Sequence, residues 1–125
     1  MRSLLVESHL LLIRLELLML FGKLNSIREL VLRSKVEGNE KRRGLTVEGI
    51  CHAIDMACVF YPKHVLCLQR TAVTVLLLRR YGWNAEMVVG AQMMPFRSHA
   101  WSELDGTVVG DKPYLRDIYH ELERC

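Results

Sequence analysis

The chain has 125 residues, half of them apolar and a quarter charged, with a formal net charge of +3. That is one domain's length and an ordinary globular composition, able to bury a core without disulfide staples. The basic residues are scattered, as at Arg42-Arg43, Arg79-Arg80 and Arg97, with no interleaved aromatics, which excludes an extended nucleic-acid surface.

From Ser3 to about Arg33 the apolar residues Leu4, Leu5, Leu11, Leu12, Leu15, Leu18 and Met19 recur at helical spacing. Glu7, Arg14 and Glu16 interrupt this leucine-rich stretch, and no small-residue cleavage site follows, so a buried helix is expected and not a signal peptide. Its longest apolar runs, Leu10–Ile13 and Leu17–Phe21, are far too short to span a bilayer. Gly22 is expected to end this first helix, and Asn25 or Ser26 to cap a short second one carrying Ile27, Leu30 and Val31. Lys35–Gly44, charged and holding two glycines, reads as a linker. The expected organisation is a helical segment and linker over 1–45 and a core over 46–125, within one compact domain.

Thr46 is a good N-cap for a helix carrying Val47, Ile50, Ile54 and Ala57, which should end before Tyr61-Pro62. The loop Pro62–Leu66 leads to Cys67. Leu68–Tyr81 is strongly helical, with Ala72, Val75, Leu76 and Arg79 in register and Gly82 as its stop. The period then changes. Ala85–Gly90 reads as a buried strand, Pro95-Phe96 as a turn or loop, and His99–Leu104 as a second strand. Asp105-Gly106 is a hairpin turn, Thr107–Val109 pairs back, and Pro113–Arg124 is expected to form a short helix. Helices first and an antiparallel hairpin after them argue an α+β fold, helices packed on a small antiparallel sheet.

The cysteines Cys51, Cys58, Cys67 and Cys125 show no Cys-x-x-Cys pair, so reduced thiols in a cytoplasmic protein are expected. His52, His64 and His120 have no ligand spacing, and neither a metal nor a cofactor is expected. Cys67 sits where a loop meets a helix N-terminus. Unpaired N–H groups and the helix dipole there favour a thiolate and are suited to hold an oxyanion. A free cysteine is otherwise most often a small buried apolar residue. His99 opens a strand. A two-residue turn at Asp105-Gly106 pairs position 99 with position 112, so Asp111 lies beside the imidazole. Nucleophile, base and orienting carboxylate form a specific set.

Several segments together resemble a known family. They are Cys67-Leu68-x-Arg70, Leu77-Leu78-Arg79-Arg80-Tyr81-Gly82, Ala85-Glu86-x-Val88-x-Gly90 and Phe96. His99-Ala100-Trp101-x-Glu103 and Asp105-Gly106-x-Val108-x-x-Asp111 complete the set. The chain resembles the lasso peptide leader peptidases, transglutaminase-like proteins with a papain-like cysteine peptidase core. The resemblance covers Val47 to Asp111 well and the N-terminal helices more loosely. It implies a Cys-His-Asp triad at Cys67, His99 and Asp111, and removal of the leader from a ribosomally made precursor. A separate ATP-dependent lasso cyclase would then close the ring. Many members carry a winged-helix-like leader-recognition module. The short helical sequence before Thr46 implies the split form, in which that module is a separate protein.

Gln69 and Arg70 beside the nucleophile, Phe96 in the apolar loop Met93–Phe96, and Trp101 near the base are candidate substrate contacts. Solvated first-turn residues and a core aromatic are their ordinary alternatives. Two other functions fit the same residues. One is a transglutaminase-type acyl transferase. The other is a non-catalytic interaction module docking through its leucine-rich helix.

Overall fold

The computed structural model describes residues 2–21, 24–36, 46–61, 67–93, 96–111 and 113–125. The expected stops and loops at Gly22, at 37–44, at Pro62–Leu66 and at Met94-Pro95 lie outside these residues.

Helix α1 (Arg2–Phe21) buries Leu4, Leu11, Leu12 and Leu15, the periodic side of the leucine-rich stretch. Ser8 lies among them without an unpaired hydroxyl, because its Oγ donates to the Leu4 carbonyl at 2.7 Å. Helix α2 (Leu24–Arg33) buries Ile27 and Val31. It starts at Leu24, so Asn25 and Ser26 fall inside its first turn and do not sit at the N-cap. In α3 (Val47–Phe60) the cap is as expected: Thr46 Oγ1 accepts the Gly49 N–H at 3.0 Å.

Helix α4 (Cys67–Arg80) is the central one, packed on α1, α2 and α3 on one side and on the sheet on the other. Its C-terminus closes by the Schellman pattern. Gly82 at φ 93° lets its own N–H reach Arg79 O and the Trp83 N–H reach Leu78 O. Arg79, almost buried, donates to Ala85 O at 2.9 Å and Ser34 Oγ at 2.7 Å, joining the end of α2 to the start of the sheet.

The sheet has order β3-β2-β1-β4, with β1 (Ala85–Met93), β2 (Phe96–Leu104), β3 (Thr107–Val109) and β4 (His120–Arg124), every neighbour antiparallel. Asp105 (φ 52°) and Gly106 (φ 81°) are both left-handed, the type I′ geometry that suits Asp-Gly. Their turn sets the register Leu104↔Thr107, Glu103↔Val108 and Ser102↔Val109.

Two expectations fail here. β1 and β2 run on to Met93 and Phe96, so Phe96 begins a strand and is not a loop residue. The C-terminal stretch is helical only over α5 (Leu115–Ile118) and then becomes β4, paired on β1. The reason is tertiary. Glu103 is 0% exposed and needs a cation, which Arg124 supplies at 3.0 Å once β4 is in the sheet. Hydrogen bonds to Glu121 and Glu103 in turn hold the Arg124 pKa above its ordinary value. A side chain at Gly90 would have its Cβ 2.7 Å from Trp101, so only glycine lets the indole close over β1.

None of the described helices is long and apolar enough to cross a membrane.

Candidate active site

Cys67 is the first residue of α4 and its thiol is exposed. The N–H groups of a helix's first turn have no partner within the helix, and with the helix dipole they favour negative charge near this sulfur. The next turn fixes α4 against the strands. Thr71 Oγ1 donates to Ala100 O at 2.9 Å, gripping β2 beside His99. Arg70 Nη2 donates to Gly110 O at 3.1 Å and pairs with Asp55 of α3.

His99 Nε2 lies 2.8 Å from Asp111 Oδ2, with the two side chains 26% and 23% exposed. A carboxylate can only accept, so Nε2 carries the hydrogen and Nδ1 is the nitrogen left to exchange a proton. Cys67, His99 and Asp111 line one cleft together with Thr71, Trp101 and Gly110. Its volume is about 30 Å³, room for a water-sized group.

The sequence-derived substrate contacts fare differently. Gln69 is 3% exposed, and its Nε2 donates to Glu16 Oε2 of α1 at 2.8 Å, so it ties two helices together and does not face the cleft. Trp101 is buried in the sheet core with Nε1 donating to Glu103 at 2.8 Å, although part of the ring reaches the cleft wall. Phe96 is 70% exposed and is not among the described residues lining the cleft. Arg70 does line it, engaged as described above.

Sequence reasoning missed Tyr119. Its ring stacks on His99 with centroids 5.7 Å apart, and meets Trp101 at a tilt, 6.1 Å away. The aromatic pair thus restricts how the imidazole can turn. The expected C-terminal helix hid it. Thr71 was equally invisible, since its contact is with a strand 29 residues away. Among the described residues, no group of three or more His, Cys, Asp or Glu is placed to hold a metal ion.

The other three thiols are less exposed than that of Cys67. Burial, reinforced by Asp55, pushes Cys51 up to about 11, and burial also raises Cys58 and Cys125. A raised thiol stays protonated and unreactive at neutral pH. Brief iodoacetamide treatment at neutral pH should therefore modify Cys67 first, and the other three only after unfolding. Peptide mapping reads this directly, and comparable labelling of Cys51 would contradict it.

Comparison with known proteins places the chain in a family. The family model of the transglutaminase-like superfamily matches residues 11–124. The microcin J25-processing protein McjB of Escherichia coli is 35% identical over 51 residues, which is 41% of this chain and 24% of McjB. The match thus spans about a quarter of that relative's length. No solved structure matches the chain. With the family model covering nearly its whole length, the chain belongs to the transglutaminase-like superfamily.

Proposed function

We propose that this protein is a cysteine peptidase that removes the leader from a ribosomally made lasso precursor peptide. The observation that carries the reading is the 2.8 Å His99–Asp111 pair in one cleft with a cysteine at a helix N-terminus. The likeness to a microcin-processing protein supports the substrate class.

The steps follow from the groups present. Cys67 gives its proton to His99 Nδ1, and the thiolate sulfur attacks the scissile carbonyl carbon. First-turn N–H groups of α4 stabilise the oxyanion. As the C–N bond breaks, His99 protonates the leaving amine, which is the new N-terminus of the core peptide. The leader stays on Cys67 as a thioester. His99 then takes a proton from water, the hydroxide attacks the thioester, and leader carboxylate and free thiol are released. Asp111 keeps Nε2 protonated throughout and stabilises the imidazolium.

The leader is held by a separate recognition protein, and the lasso cyclase takes the freed core, all within the cytoplasm. Support for the recognition partner comes from α1. Val6, Leu10, Ile13 and Leu17 form an exposed apolar stripe opposite its buried face. Their spacing of four, three and four residues suits a partner helix.

The test is a mass spectrum of precursor incubated with this protein, with and without the recognition protein. Two fragments whose masses sum to the precursor plus one water are expected, formed much faster with the partner through a lower KM. Incorporation of an added amine at the cut would instead mark an acyl transferase. Intact precursor in both conditions would remove the peptidase reading.

A further inference from the structure

We infer that Arg70, with Asp55 behind it, is a positioning residue that holds the Asp111 turn against the nucleophile helix. The inference rests on the peptidase reading and deepens it.

The β2–β3 ladder ends at Ser102↔Val109. Gly110 and Asp111 lie beyond it, so sheet hydrogen bonds do not fix the carboxylate that holds His99. Two helices supply contacts to this turn. Arg70 is three residues after Cys67, hence on the same side of α4 and one turn deeper. Its Nη2 donates to the Gly110 carbonyl at 3.1 Å. That oxygen and the Asp111 nitrogen belong to one rigid peptide plane, so anchoring the oxygen sets where the Asp111 Cα hangs. Gly110 adopts φ 71°, a left-handed conformation that glycine permits, and a Cβ there would come 3.2 Å from Cys51 Sγ. The turn is therefore seated on α3 while Arg70 draws it to α4. Asp55, one helical turn after Cys51 on α3, pairs with the same guanidinium and fixes its direction. The same Nη2 meets both the Gly110 carbonyl and the Asp55 carboxylate, so the carboxylate directs the nitrogen that anchors the turn.

A half-exposed arginine on the cleft wall also has a plain alternative, contact with the substrate. Asp55 separates the two, because it pairs with Arg70 but is not among the described residues lining the cleft. If Arg70 is a strut, Asp55→Asn should lower kcat about tenfold and Arg70→Gln up to roughly a hundredfold, with KM nearly unchanged, as expected for slight misplacement of a catalytic group. The double variant should be no worse than Arg70→Gln alone. Arg70→Lys should recover part of the loss. The hydrogen-bonded His99 Nε2–H proton resonance should move in Arg70→Gln, and this readout needs no turnover. If instead KM rises at constant kcat, or kcat falls while the Nε2–H resonance stays in place, the strut is wrong. If the wild-type chain cleaves nothing, the resonance alone decides the strut, and the peptidase reading fails separately.

Discussion

Replacing Cys67 by alanine should lower leader cleavage by roughly a thousandfold or more, the scale seen when a covalent nucleophile is removed. The fold should survive, because the thiol is exposed and its loss leaves no cavity. Cys51→Ala, Cys58→Ala and Cys125→Ala should each keep cleavage, since burial holds these thiols protonated. Initial rates on the precursor, with a thermal melt for each variant, read the comparison. Activity surviving in Cys67→Ala but lost in one of the other three would move the nucleophile elsewhere.

His99→Ala should be nearly as severe, because members of such a set act as a unit and their losses do not add. A double variant with Cys67→Ala should then fall little further than either alone. Asp111→Asn tests the geometry more finely. An amide nitrogen facing His99 Nε2 donates, which drives the imidazole hydrogen to Nδ1 and leaves no lone pair to take the thiol proton. The expected loss in kcat is large but milder than that of Cys67→Ala or His99→Ala. An Asp111→Asn enzyme within about twofold of wild type would show that the carboxylate does not set the tautomer.

Much of this arrangement could be read before the fold was seen, for local reasons. Asp-Gly at 105–106 demands a type I′ turn, and the turn alone fixes which residues face one another across β2 and β3. That is how Asp111 could be placed beside His99 from sequence. Thr46 and Gly82 likewise act through neighbours a few residues away. The misreadings have non-local causes. Nothing in His120-Glu121-Leu122-Glu123-Arg124 is β-branched, and the segment becomes a strand because β1 offers an edge and Glu103 needs Arg124. Gln69 follows Cys67 closely yet turns away from the cleft, since its partner Glu16 lies 53 residues earlier. Trp101 and Tyr119 meet only because β4 brings the C-terminal stretch back over the sheet.

The most direct test is acid-quenched mass spectrometry of the protein during turnover with precursor and recognition partner. The account predicts an adduct equal to the leader peptide less one water, carried on the proteolytic fragment that contains Cys67 and released by hydroxylamine as a thioester is. It should be absent from Cys67→Ala. An adduct mapped to Cys51, Cys58 or Cys125, or full cleavage by Cys67→Ala, would contradict it.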